Sequence, residues 1–317
     1  MKRIAVVVLA MPIFAVEASV RTPTPVSGIT PVSPPSVPVR IACDGKWQWH
    51  LQGVALSDKN PNAIFWSMAT ELVKTDLDGS IDSQIAMPMH SGDLCISGGM
   101  VYVVVNKTNC WNGGGDPDNW VYVYNEDDIS AGTVAEYHLV DPDGRQEIPG
   151  GAGAIARDDD YFYISGGLLP GSVKYKIYRY AVDFDTPAEV YIDTGSIPPI
   201  SGIQCLALDS SSGWILCGMY GAQAMYVSRT GEYGGALRSG SCAYGVMNWS
   251  GSVYARGRLS GSTGKFTAYL SFFDMLLPPA PVSAERDSSA VNSTETLPDG
   301  YRPPAGSVDS SPSLSGY

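Results

Sequence analysis

Between residues 37 and 281 apolar and polar positions alternate in short runs separated by turns of Gly, Asp and Ser, and no stretch keeps the period of a helix. One pattern recurs. A turn containing a small residue precedes four apolar-alternating residues at His50 (HLQG-VALS), His90 (HSGD-LCIS), Gly151 (GAGA-IARD), Gly202 (GIQC-LALD) and Cys242 (CAYG-VMNW). These starts lie 40, 61, 51 and 40 residues apart. A second run rich in β-branched and aromatic residues follows each, at 63–67 (AIFWS), 100–106 (MVYVVVN), 161–165 (YFYIS), 213–217 (GWILC) and 252–256 (SVYAR). Third runs stand at 72–76, 120–124, 176–180, 225–228 and 266–271, and fourth runs at 80–86, 133–140, 188–193 and 232–238.

Four antiparallel strands repeated at roughly 40 to 50 residues predict an all-β fold, a β-propeller of about five four-stranded blades. The fifth unit lacks a fourth run, because Pro278-Pro279 follows its third closely, while Val37 to Cys43 (VPVRIAC) is an unassigned strand ahead of the first unit. That N-terminal strand is expected to complete blade five beside residues 266–273 and close the ring. A β-sandwich is the competing arrangement. Lys107 to Asn119 (KTNCWNGGGDPDN) reads as one long loop.

The flanks are different material. Met1-Lys2-Arg3, the apolar run Ile4 to Val16 and the small residue Ala18 predict a signal peptide over 1–18, the run being short of the roughly 20 residues that span a membrane. Residues 19–38 are a Pro/Ser/Thr-rich linker, the propeller domain covers 39–281, and 282–317 form a disordered Ser/Pro/Gly-rich tail. The expectation is an exported protein, extracellular or periplasmic, that does not span the membrane.

Composition narrows the partners. Of 317 residues 32 are acidic and 20 basic, a formal charge of −12, which opposes attachment to nucleic acid. The 18 Tyr and 7 Trp supply core-forming surface despite 35 Gly and 23 Pro. Six Cys in an exported chain suggest disulfides. The blade topology favours Cys205–Cys217, Cys95–Cys110 and Cys43–Cys242, although Cys205 and Cys217 suit equally well as small buried apolar residues. No CxxC or Cys/His spacing points to a metal, and no cofactor is expected.

In a propeller the first strand of each blade lines the central channel, so the repeat alignment maps a site. His50 and His90 share the first repeat position, Gln52, Gln204 and Tyr244 the third, and Asp93 stands at the fourth. Loops between second and third strands add Thr70, Asn106, Trp111, Tyr220, Arg256 and Arg258. Imidazoles, amides, a carboxylate, aromatics and arginines suit a sugar. His50 and His90 are the candidate acid and base with Asp93 as orienter, and Gln52, Asn106, Trp111, Gln204, Tyr220, Tyr244 and Arg256 are the candidate substrate-binding residues. A paired-carboxylate hydrolase fits poorly, because only Asp93 is placed at the inner positions; an eliminating lyase needs only His50, His90, Tyr220 and Arg256. Asp116 to Asn119, Asp158 to Asp160 and His138 read as solvated surface rather than metal sites.

These motifs, His50-Leu51-Gln52-Gly53, Phe65-Trp66-Ser67, Leu72 to Gly79, His90-Ser91-Gly92-Asp93-Leu94 and Tyr102 to Asn106, resemble a set of secreted, mostly bacterial propeller proteins with an HxQG turn, LVKTDLDG and an HxGDL turn. The resemblance spans residues 47–125 well and the Gly153 and Gly202 turns weakly, and it implies the propeller fold and the His/Gln/Asp cluster without a reaction. The chain departs from that pattern near Gly151, where a third His is expected. Two functions follow as expectations: a monomer that recognises a glycan at its central mouth, with His-dependent lyase- or hydrolase-like cleavage open beside it, or a non-catalytic platform for a protein or other ligand.

Overall fold

The computed structural model describes residues 40–88, 90–108, 116–148, 151–168, 174–184, 187–193, 203–219, 224–237 and 241–280. The expected signal peptide, linker and tail, together with Cys110, Trp111 and Tyr220, lie outside the described residues.

A short strand, β1 (Arg40–Ala42), comes first. Blade one is β2 (Leu51–Leu56), β3 (Ala63–Met68), β4 (Glu71–Asp76) and β5 (Ile81–Ala86). Blade two is β6 (Ser91–Ser97), β7 (Met100–Asn106), β8 (Asn119–Asn125) and β9 (Thr133–His138). Blade three is β10 (Ala154–Arg157), β11 (Tyr161–Leu168), β12 (Lys174–Ala181) and β13 (Pro187–Asp193). Blade four is β14 (Ile203–Asp209), β15 (Trp214–Met219), β16 (Met225–Val227) and β17 (Tyr233–Ala236). Blade five is β18 (Val246–Ser250), β19 (Val253–Ser260) and β20 (Thr267–Asp274), with β1 as its outermost strand. Every pairing is antiparallel. The fold is the expected five-bladed β-propeller, not a sandwich.

The innermost strands touch in a closed ring, β2 to β6, β6 to β10, β10 to β14, β14 to β18 and β18 back to β2. Closure occurs where the sequence places it. Arg40 pairs with Ser271, Ile41 with Leu270 and Ala42 with Tyr269. Gly79, in the turn after LVKTD, packs against this strand: its φ is +96° and a Cβ there would lie 1.8 Å from the Ala42 carbonyl oxygen, so only glycine fits.

Alternation along each strand sends neighbours to opposite blade faces, and five apolar layers fill the wedges. Ile64 and Trp66 face blade five with Leu51, Met247, Trp249 and Leu270, whereas Phe65 faces blade two with Leu94, Val103 and Tyr122. Val104, Val121 and Val123 turn the other way, onto Ile155, Phe162 and Ile164 of blade three. The remaining wedges are filled by Tyr163, Ile177 and Leu206, and by Leu216, Val246 and Tyr254. Burial falls from the centre outward: the inner half of β2 is buried, while β5 and β9 alternate between exposed and half-buried positions.

The turns after the innermost strands hold carboxylates that reach the next blade. Asp58 accepts from Gly99 N at 3.2 Å, and Asp158 accepts from Tyr163 Oη at 2.8 Å and lies 3.3 Å from Arg229 of blade four. Asp209 is bonded by Tyr254 Oη of blade five. Asp158 is buried, so the solvated turn expected there is corrected: its oxygens are taken up by Asp160 N, Tyr161 N and Tyr163. His138 is likewise not merely solvated, since its ring stacks on Trp120 with centroids 4.1 Å apart.

No disulfide forms among the five described cysteines. Register explains why. Cys217 pairs with Leu206 and Cys205 with Gly218, so the two thiols lie on opposite faces of blade four, in different apolar layers. Cys43 follows the outermost strand of blade five and Cys242 precedes its innermost strand, at opposite edges of one sheet. The proposed Cys95–Cys110 pair falls partly outside the described residues.

If ring closure through β1 limits stability, Ile41→Ala lowers the free energy of unfolding by about 2–4 kcal/mol, because Ile41 is buried in the layer between blades five and one. Arg40→Ala, at an exposed position, changes it by about 0.5 kcal/mol or less. Urea unfolding of both variants checks this, and equal losses contradict it.

Candidate functional site

Every blade starts on its innermost strand, so the residues just before β2, β6, β10, β14 and β18 meet at one mouth of the channel. Three of these strands are bulged there. Leu51 pairs with Met68 and Gly53 with Ser67, which leaves Gln52 outside the ladder. Ile203 pairs with Met219 and Cys205 with Gly218, leaving Gln204, and Ser91 and Leu94 pair with Val105 and Val103, leaving Gly92 and Asp93. A bulge re-aims a side chain by breaking the strand's alternation. Of the repeat positions picked out in the sequence, Gln52, Gln204 and Asp93 are therefore bulged ones.

His50, Gln52 and His90 come together. The Gln52 amide nitrogen lies 2.9 Å from His50 Nε2, 3.0 Å from His90 Nε2 and 3.5 Å from His90 Nδ1. The two rings are inclined at 53° with centroids 5.7 Å apart. Gln52 is buried, and both histidines are half-buried at the mouth. An amide NH₂ only donates, so His50 Nε2 accepts and its ring proton sits on Nδ1. Burial pushes His50 down to about 4 and, joined by the neighbouring His50, pushes His90 down to about 4. At neutral pH the cluster is polar but uncharged.

Backbone contacts hold the rings. His90 N donates to Asn106 O and Asn106 N to His90 O, while Ala69 N donates to His50 O. The Asn106 side chain faces away from the cup: its Nδ2 donates to Asn119 Oδ1 at 2.8 Å and its Oδ1 accepts from Thr108 N, so it anchors the start of the long loop.

Asp93 is the floor. It is 1% exposed and accepts from Leu206 N at 2.8 Å and Ile155 N at 3.5 Å, while its own N–H donates to Gly153 O. Blades two, three and four are thus tied together beneath the cup. A Cβ on Gly53 would stand 2.1 Å from Asp93 Oδ1, which is why blade one presents glycine there. Burial raises the carboxyl well above the usual carboxylate range, against the pull of the Leu206, Leu94 and Ile155 N–H groups. Its hydrogen bonds run to backbone and not to either imidazole, so the geometry offers no Asp–His pair.

Gln204 and Tyr244 are half-buried at the starts of blades four and five. Arg256 lies within β19 opposite Val246, its Nε donating to Ser271 Oγ at 3.3 Å, and is no loop residue. Arg258 is also in β19, and Thr70 Oγ1 donates to Glu71 Oε2 at 2.7 Å. The bulges are features that no local pattern in the sequence announces. Among the described residues no three His, Cys, Asp or Glu gather as a metal ligand set. No helix among them is long and apolar enough to cross a membrane.

Two outcomes follow. Unfolded histidine titrates near pH 6.5, so between about pH 6.5 and 4 the unfolded chain binds protons that folded His50 and His90 refuse. Stability is full above that window, falls across it and levels off below about pH 4, and the two imidazole resonances titrate below pH 5 by NMR; midpoints near 6.5 would refute a buried neutral pair. Asp93→Ala strands the Leu206 and Ile155 N–H groups and costs about 1–3 kcal/mol each, whereas Asp93→Asn keeps an acceptor and costs less, as thermal unfolding of both variants will show.

No family model matches the chain, and no curated protein matches its sequence. Among solved structures it is similar to a protein of unknown function from Bacteroides thetaiotaomicron, at 11% identity and a TM-score of 0.43, covering 74% of this chain and 73% of the other. It is similar also to a gluconolactonase from Xanthomonas campestris, at 14% identity and a TM-score of 0.43, covering 70% and 72%. A third likeness is to the major allergen Mala s 1 of Malassezia sympodialis, at 11% identity and a TM-score of 0.49, covering 75% of this chain and 83% of the other.

Proposed function

We propose that this chain is an exported propeller that binds a glycan in the cup formed by His50, Gln52 and His90, with Gln204 and Tyr244 on its rim. The supporting observation is the Gln52 amide held between two imidazoles at the channel mouth. Each of these groups both donates and accepts, or does so with its neighbour, and none bears charge at neutral pH, which matches sugar hydroxyls rather than an ion.

Binding is favoured over cleavage. A base held near pH 4 drives proton abstraction weakly at pH 7, and imidazoles neutral there are poor proton donors. Asp93, the expected orienter, is committed to backbone N–H groups. Lyase chemistry through His50 and His90 is the second reading, and product analysis separates the two.

A glycan array with the purified chain at pH 7 should give hydroxyl-rich hits that His50→Ala and Gln52→Ala weaken at least about tenfold, a loss of roughly 1.4 kcal/mol, with no cleavage product. His138→Ala, on the outer strand β9, should bind as the parent does. Absence of glycan binding, or undiminished binding by both cup variants, overturns the proposal.

A further inference from the structure

Blade five carries a row of arginines that the cup does not use. Arg40, Ser271 and Arg256 are directly cross-strand from one another, and the next row on that face is Ala42, Tyr269 and Arg258. Cross-strand partners and residues two apart share a face, so all three arginines project from one side of the sheet. That side is the one turned to blade four, because Tyr254 and Phe273 on it pack with Leu216 and Cys205.

Arg256 and Arg258 are near enough to repel one another, and Arg40 stands two strands away, across Ser271 and Tyr269. Arg40 lies over the Tyr269 ring at 3.7 Å. Arg256 donates through Nε to Ser271 Oγ, and its Nη1 is buried with no acceptor. Besides Ser271, the Arg256 side chain meets the Cys242 thiol, a weak acceptor that leaves its charge without a carboxylate partner among the described residues. Among the described residues none of the three arginines takes part in an ion pair, although the chain holds 32 acidic residues against 20 basic. Burial first, and then the neighbouring Arg258, lowers the Arg256 pKa.

The patch reaches the mouth end of the propeller. Arg256 stands opposite the first residue of β18, and Gly257 approaches the carbonyl of Tyr244, so Arg258 lies at the level of the fifth blade's rim residue.

We infer that Arg256, Arg258 and Arg40 form a site for an oxyanion, the carboxylate of a uronate or the sulfate of a sulfated sugar, at the edge of blade five. Planar guanidinium groups bind such oxygens through paired N–H donors, and a flanking aromatic ring and hydroxyl fit a sugar that bears one. The inference deepens the glycan reading by assigning charge to the sugar, yet the anion site stands on its own residues.

The test is retention on immobilised polygalacturonate, dextran sulfate and neutral dextran, with the parent chain, Arg258→Ala, Arg40→Ala, Arg256→Gln and His50→Ala. Expected are binding to one or both acidic polymers, at least tenfold weaker in Arg258→Ala and Arg256→Gln, and weakening as salt rises from about 0.05 to 0.5 M. Arg40 is exposed and Arg258 half-buried, and thermal unfolding of both alanine variants beside the parent shows that they fold, so the result holds even if Arg256→Gln does not. Which acidic polymer is retained tells uronate from sulfate. Acidic-polymer binding equal in Arg258→Ala and the parent, or equal retention on neutral dextran, overturns the anion site. Loss with His50→Ala but not with Arg258→Ala supports the cup alone and refutes the patch, and the reverse supports the patch while refuting the cup.

Discussion

A blade in this protein buries its apolar faces only against the blades on either side, and that single constraint organises everything else. Ile64 and Phe65 are adjacent in sequence and fully buried, yet they belong to different wedges. An open ring would leave two such faces in water. The three residues of β1 therefore matter beyond their number, since they bring the two ends of the chain's folded part into one sheet beside blade one. Gly79 marks how tightly that junction is drawn.

Closing the ring crowds five innermost strands around a narrow axis, and the polar groups show how the crowding is relieved. Glycine is used where backbone meets backbone, as Gly53 meets Asp93. Asp93 then fills the remaining space and satisfies N–H groups that face the axis instead of a ladder. The bulged side chain of Gln52 then gathers with His50 and His90 at the mouth end of the axis. A carboxylate committed to the Leu206 and Ile155 N–H groups is not free to orient an imidazole.

Charge is distributed to match. Aspartates at the turns after β2, β10 and β14 face away from the mouth and tie each blade to the next, which uses acidic residues as structural acceptors at one end. The mouth end carries neutral imidazoles and amides at its centre, and on blade five three arginines that enter no ion pair among the described residues.

The sequence by itself determined the class of fold, the five units and the strand that closes them, because a two-residue period interrupted at regular intervals allows few other arrangements. It also determined which residues start each blade, and so brought His50, Gln52 and His90 to one mouth on paper. Only the tertiary structure decided what those residues do. Register, slipped by one residue, put Cys205 and Cys217 on opposite faces of a sheet where symmetry about a turn suggested a pair. Bulges turned Gln52 and Gln204 out of the ladder, and close packing around the axis took Asp93 out of reach of the imidazoles. Arg256 was drawn into a strand and joined by Arg40 from more than 200 residues away. Such outcomes depend on which backbones approach each other across the ring, and that is set by contacts distant in sequence that no local pattern records.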